Sequence, residues 1–415
     1  MSQLLPFKAF RPKQVHAQKV ASVPYDVVNT EEARRLAEGN EFSFLHVGRP
    51  EIDLPADVDI HDPRVYAKGV ENLHRLITDG VLIQDARPCL YVYQQRMGDH
   101  VQAGLVGLCS VKEYEQGLIK KHEHTRRDKE DDRTRHVSEQ HANSEPVFLA
   151  YRAVPYIDHI VDDTRKRPPA VDVVTEDGIG HTVWVIQDER TILELVTLFN
   201  GVPALYVADG HHRTAAAARY GLAQREANPK PWGGESYESF MAVVFPHDQL
   251  RIMDYNRVVK DLNGLTKEAF LAKVGERFEV LPSESRSPRI PATFGMYLDG
   301  AWHTLKAKPG SYPANDPVRG LDVSILQENL LAPVLGIQDP RTDTRIDFVG
   351  GIRGMDELER RVKQGWAVAF SLYPTSLDQL MSVADAGQIM PPKSTWFEPK
   401  LRSGLIVRMY EPDAH

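Results

Sequence analysis

The sequence predicts an α+β protein of mixed sheets with flanking helices, and three observations carry that expectation. Hairpin signals recur. Cys89–Gln95 and Val101–Val111 flank Met97-Gly98-Asp99-His100, and Val171–Val174 and Thr182–Ile186 flank Asp177-Gly178, with strand-like arms and small turn residues between them. Helical stretches fall between these hairpins rather than after every strand. Other strands, such as Ala204–Ala208 and Phe240–Phe245, are short and apolar throughout, as buried strands are. These patterns fit sheets layered with helices better than a parallel βαβ array.

From the N-terminus, Val20–Val28 leads to Asn29, which with Glu32 resembles a capping box opening a helix whose apolar face begins at Ala33 and Leu36. Phe42–Val47 reads as a strand closed by Gly48-Arg49-Pro50-Glu51, and Val65–Leu82 as a helix. Lys120–Arg135 is crowded with both signs of charge, as in a solvated helix or a mobile loop. Pro146–Tyr151 returns to strand character. Thr191–Phe199 predicts a helix stopped at Asn200-Gly201, and Thr214–Tyr220 an Ala-rich helix ended by Gly221. Later, Ala367–Leu372 reads as a strand, Lys267–Phe278 and Leu321–Leu335 as helices, and Met296–Lys306 turns at Asp299-Gly300. Prolines between Ile389 and Ile406 argue against regular structure there. The expected division is 1–165, 166–260 and 261–415, with Arg165–Pro169 and Pro309–Pro317 as linker candidates.

At roughly 100–200 residues per domain, a chain of 415 residues holds two or three. Apolar residues at 42% and charged residues at 26% exclude wholesale disorder. A net charge of −8 argues against broad nucleic-acid binding. Cys89 and Cys109 are too few for a disulfide framework or a four-thiolate zinc site and read as small core residues. No apolar run reaches the roughly 18–20 residues of a membrane span, and no signal-peptide pattern opens the chain, so a cytoplasmic protein is expected.

The strongest chemical signal is the apolar strand Ala204–Ala208 followed by Asp209-Gly210-His211-His212-Arg213 and a helix beginning at Thr214. Gly210 allows a sharp turn and close ligand approach. The helix start offers unpaired N–H groups and the positive end of the dipole. Arg213 adds a bidentate oxyanion partner, and His211 and His212 can donate to phosphate or move protons. Asp209 can hold magnesium or orient a histidine. The alternative is a strand-to-helix corner whose Asp only caps the helix.

That pentapeptide resembles the phosphate-binding motif of the ParB/sulfiredoxin superfamily, particularly of the free serine kinases. The rest of the chain resembles the domain-of-unknown-function 1015 family. The family-like stretches are Val23-Pro24-Tyr25-Asp26-Val27, Ser43-Phe44-Leu45-His46-Val47 with Arg49-Pro50-Glu51, His122-Glu123 with Thr125, and Lys129 through Arg133. Asp347-Phe348-Val349-Gly350 and Met390-Pro391-Pro392-Lys393-Ser394-Thr395 complete them. The resemblance implies a ParB/sulfiredoxin-like core. It also implies a kinase that makes O-phosphoserine from free L-serine, with ATP, ADP or inorganic pyrophosphate as donor and magnesium as companion ion. A phosphoester or nucleotide hydrolase and a ParB-like nucleic-acid binder are the alternatives.

Such chemistry needs a carboxylate for the hydroxyl proton and cations for the phosphoryl group. Asp26 is a candidate base, with Glu145, Glu123 and Glu51 as competitors. Lys129 and Arg133 are candidates for a lid over phosphates, and His122 with His124 offers a chelating pair. Lys393, Ser394 and Thr395, followed by Lys400, Arg402 and Ser403, form a further cluster of phosphate-binding residue types without the Gly-rich frame of a Walker site. Arg49, Glu51 and Lys393 are the candidate holders of the serine amine and carboxylate, and Thr214 joins Gly210 in the phosphate-binding set.

Overall fold

The structure is a computed structural model and describes residues 2–283 and 285–411. The chain forms two compact units, Met1–Leu250 with Pro399–His415, and Arg251–Glu398.

The first unit is built on one eight-stranded sheet. Its strands are β1 (Leu90–Met97), β2 (His100–Ser110), β3 (Ile119–Lys120), β4 (Val147–Tyr151), β5 (Val171–Val174), β6 (Gly180–Ile186), β7 (Leu205–Asp209) and β8 (Ser239–Pro246). They lie in the order β3-β7-β4-β8-β2-β1-β6-β5. The β1–β2 and β5–β6 pairs are the two expected hairpins. Pairing is mixed: β7 runs parallel to β3 and antiparallel to β4, while β4 and β8 are parallel. One core gathers Leu90, Val92, Leu149, Leu205 and Val207 of the sheet with Ile157, Leu195 and Phe199 of the 155–165 and 189–200 helices. The expected cut at 165/166 runs through this sheet, because β4 from before it pairs with β7 and β8 from after it.

The second unit carries a six-stranded, wholly antiparallel sheet of β9 (Tyr255–Val259), β10 (Phe278–Pro282), β11 (Thr293–Leu298), β12 (Ala301–Ala307), β13 (Ile346–Gly350) and β14 (Val368–Leu372). The order is β10-β12-β11-β14-β9-β13. The 354–363 helix covers it through Leu358, which packs with Val258, Val349 and Ala369. The expected boundary at 260/261 differs from the observed one because β9 is an interior strand of this sheet.

Most predicted elements form, and the α+β class holds with mixed pairing in the first unit. The Asn29–Glu32 capping box opens the Thr30–Ala37 helix. Four local expectations change. Phe42–Val47 is not a strand: the Ser43 hydroxyl accepts the Leu45 N–H, a turn begins, and Leu45–Gly48 is helical. Gly221 does not end its helix, which runs from His211 to Ala227. A Cβ there would sit 2.7 Å from the Tyr237 carbonyl, so this glycine serves close packing. The predicted 321–335 helix is a short α-helix, Asp322–Leu326, continued by a π turn over Gln327–Leu331. Trp396–Glu398, amid the prolines, pairs with Arg251–Met253 as a small ribbon. Among the described residues, no helix is long and apolar enough to cross a membrane.

Candidate functional site

The sheet order itself gathers the chemistry. Because β3 and β7 are parallel, with Ile119 opposite Leu205 and Lys120 opposite Tyr206, the residues after each strand emerge side by side. His122-Glu123 follows β3, and Asp209 to Arg213 follows β7. Antiparallel β4 begins at the same end, with Phe148 opposite Asp209, so Glu145 and Pro146 arrive there too. Ligand sites at the carboxyl ends of parallel strands follow from the same geometry.

Gly210 makes the corner. Its φ is +85°, a conformation that disfavours side chains, and a Cβ on it would lie 3.0 Å from Arg213 Nε. Helix α2 (His211–Ala227) then starts without any side-chain cap, leaving its first N–H groups for an anion. Thr214 is not available to a ligand in this arrangement: it is fully buried, and its hydroxyl donates to the Gly210 carbonyl at 3.0 Å.

Arg213 is the hub. Its Nη1 donates to the Pro146 carbonyl at 2.6 Å. Its Nη2 lies 3.8 Å from Asp26 Oδ2 and 4.0 Å from Asp209 Oδ2. Its Nε is buried with no partner. Burial opposes the charge, but Asp26, Asp209 and Glu145 outweigh it and hold the guanidinium above its ordinary value.

Three carboxylates face this arginine in different states. Asp26 keeps 38% of its side chain exposed and is reachable from solvent. Glu145 is more enclosed: Oε1 accepts from the Ser403 hydroxyl at 2.8 Å and from the Tyr25 N–H at 3.4 Å, and burial raises its pKa against the pull of Arg213. Asp209 accepts from Lys400 Nζ at Oδ2 (3.1 Å) and from the Gly210 N–H at Oδ1 (2.9 Å). Burial opposes its ionisation, yet Lys400 and Arg213 keep it well below the usual carboxylate range. This donor set does not fit magnesium at Asp209, because two cations and an N–H already take up the carboxylate.

The histidines diverge. His212 accepts the Arg126 N–H at Nε2 (3.1 Å) and ties the 121–126 segment to the corner, while burial lowers its pKa. His211 turns inward against His122, with ring centroids 4.5 Å apart at 86°. Burial holds both as neutral imidazoles, His122 down to about 4. His124, expected to chelate with His122, is exposed. Glu123, half-buried, lies with the His122 and His211 pair.

The charged stretch is largely helix α1 (Arg127–Gln140), packed on α2 by Arg219 bonds to Glu130 and Asp131. Arg133 stacks 3.9 Å above the Tyr25 ring and pairs with Asp132, which places it beside Asp26 and Glu145. Lys129 on the same helix is exposed. Arg49 and Glu51 pair with each other at 3.3 Å. Arg49 also donates to the Val28 carbonyl and Glu51 accepts from Thr30, while Arg49 Nε is buried with no hydrogen-bond partner.

The cluster read near the C-terminus is split between the units. Lys393, Ser394 and Thr395 belong to the second. There Ser394 donates to the Pro391 carbonyl and Lys393 is exposed, its carbonyl accepting from Arg257. Lys400 and Ser403 return to the first unit and join Asp209 and Glu145. Those two roles escaped the sequence reading, since no local pattern ties residue 400 to residue 209.

The family model described as "Protein of unknown function (DUF1015)" matches residues 4–324. No curated protein matches the chain. Among solved structures, the chain is similar to a free serine kinase in complex with AMP, at 13% identity and a TM-score of 0.39, covering 74% of this chain and 91% of that one. A mutant free serine kinase in complex with ADP gives 12% identity and a TM-score of 0.38, covering 74% and 92%. A conserved hypothetical protein from Pyrococcus furiosus gives 12% and 0.36, covering 73% and 95%.

Proposed function

We propose, from the premise that the chain belongs to the DUF1015 family, that it transfers a phosphoryl group from ATP, ADP or inorganic pyrophosphate to the hydroxyl of free L-serine. One observation carries the reading: the corner after β7 sets an uncapped helix start and the unpartnered Nε of Arg213 against the accessible carboxylate of Asp26. That is an anion cradle beside a proton acceptor, the pairing phosphoryl transfer requires. The choice of serine rests on the resemblance of Asp209 through Arg213 to free serine kinases.

In this reading the transferred phosphate meets the first N–H groups of α2 and the Arg213 guanidinium. Lys400 adds a second cation when it exchanges Asp209 for a phosphate oxygen. Asp26 takes the serine hydroxyl proton as the Oγ–P bond forms and the donor's bridging P–O bond breaks. Glu145 is a positioning residue: it holds the Tyr25 N–H and so the turn that presents Asp26. His212 anchors the 121–126 segment over the corner and shields it from water. Magnesium accompanies nucleotide and pyrophosphate donors, and no step here depends on its placement.

The test incubates the purified chain and magnesium with serine and each donor separately, and measures phosphoserine by mass spectrometry. Phosphoserine is expected with at least one donor, and N-acetylserine and serine amide are expected to be poor acceptors. Donor breakdown without phosphoserine would replace the kinase reading by a hydrolase. Equal phosphorylation of serine and a serine-containing peptide would overturn the free-amino-acid acceptor.

A further inference from the structure

We propose that His122, Glu123 and His211 form a binding site for one divalent transition-metal ion of the zinc type. Each residue offers one ligand atom, and these atoms all lie within 4.8 Å of one another, the one such group among the described residues. His122 is 1% exposed and His211 6%. One ring nitrogen of His122 faces the Val207 backbone, which leaves its other ring nitrogen, like Nε2 of His211, buried without a hydrogen-bond partner. Buried polar atoms are rarely left unpaired, and one such nitrogen on each of two facing imidazoles calls for a shared partner. The imidazoles meet edge to face, so rotation of one ring turns its lone pair toward the space that the other borders.

The placement follows from the fold rather than from side-chain chance. Parallel β3 and β7 deliver His122-Glu123 and His211 from adjacent strand ends, and the uncapped start of α2 fixes His211 as its first residue. Two imidazoles and one carboxylate suit zinc, cobalt, iron or manganese, whereas magnesium prefers oxygen ligands alone. Three protein ligands leave at least one coordination position open, which is the pattern of metal sites that hold water or substrate. The inference does not rest on serine phosphorylation: metal uptake is read directly, whatever the chain's reaction.

The experiment takes the full chain, strips it with chelator and dialyses it. It is then titrated with Co(II), with the visible d–d absorption as readout, and Zn(II) competes the cobalt off. One equivalent per chain is expected, with magnesium on the order of millimolar failing to compete. His122→Ala and His211→Ala are each expected to weaken cobalt binding by about 100-fold or more, since loss of even a supporting partner costs 10–100-fold. Glu123→Gln should alter the cobalt spectrum, and His124→Ala should change nothing. His122→Asn, with circular dichroism and a melting curve, guards against a variant that fails to fold. No stoichiometric uptake, or cobalt binding that survives both His122→Asn and His211→Ala in folded protein, overturns the site. Phosphoserine formation is followed in the same samples: its presence without metal uptake sinks this inference alone, and uptake without phosphoserine sinks the kinase alone.

Discussion

Arg213 in the first unit and Arg257 in the second are both buried, at 9% and 3% exposure, but their surroundings differ. Arg213 sits among Asp26, Asp209 and Glu145, and these carboxylates outweigh the cost of burial. Arg257 donates to two carbonyls, of Tyr255 and Lys393, and lies 5.1 Å from the Phe348 ring. No carboxylate pairs with it among the described residues, and burial pulls its pKa down to about 10. The acids show the same contrast. Asp209 is held ionised by Lys400 and Arg213, whereas burial raises Asp322, supported by one N–H donor in Ala292, to about 7. Around Arg213 buried charge is held as a network of opposite partners, whereas Arg257 and Asp322 are buried singly and driven toward neutrality. Only the former suits a site that must meet a polyanion.

The largest expected effect tests the network's chemistry. Arg213→Lys keeps one positive charge but removes the planar fork, and phosphoserine formation should fall about 10³-fold or more, by the scale of arginine contacts to transferred phosphate. Near-normal turnover by mass spectrometry would show that Arg213 serves structure alone. Next, stability should separate the two arginines. Arg213→Met takes a shared cation from three carboxylates, of which Asp209 keeps Lys400 and Glu145 keeps Ser403, and should cost about 3 kcal/mol. Arg257→Met loses two hydrogen bonds but also a solitary buried charge, and these opposed terms should leave a change of about 1 kcal/mol or less. Urea denaturation of both variants reads the difference directly, and equal losses would break the contrast.

The smallest effect concerns pH. The folded pKa of Asp322 lies above its ordinary value, so its contribution to stability is present below about 4 and is lost as pH rises through about 7. The slope in that window approaches about 1.4 kcal/mol per pH unit. Asp322→Asn should flatten it, leaving denaturant midpoints of the second unit nearly level between those values. An unchanged pH profile would show that Asp322 ionises freely in the fold.

Much of the first unit was legible from local pattern. The strand–corner–helix around Asp209 to Arg213 was readable because apolar strand, glycine and helix former follow one another directly. The hairpins were readable from turn chemistry at Gly98 and Asp177-Gly178. The assembly of the site was not. Strand β3 is two residues long and leaves no periodic trace, yet it alone aligns His122 with His211. The metal expectation fell on Asp209, and the histidine pair weighed beside it joined His122 to its sequence neighbour His124 rather than to His211. Arg49 and Glu51 were read as ligand holders from charge alone, and an isolated sequence could not show that they face each other. The three-part division failed to show that one sheet draws strands from both sides of residue 165, or that the chain leaves the first unit and comes back.

That return has a consequence for the nascent chain. The segments bearing Asp26, Glu145 and Arg213 leave the ribosome before the second unit is made, while Lys400 and Ser403 follow after it. Until then Asp209 has no lysine and Glu145 no hydroxyl donor, so the pocket holds carboxylates in excess of cations. Recruiting the late segment means closing a long loop, a slow step with an entropic cost that grows with the logarithm of length. A product terminated within the second unit would carry the Asp-Gly-His-His-Arg corner without the residues that balance its charge. Completion of the site thus waits on the synthesis of residues 400–403, and a chain cut short before them has the motif without its Lys400 and Ser403 partners.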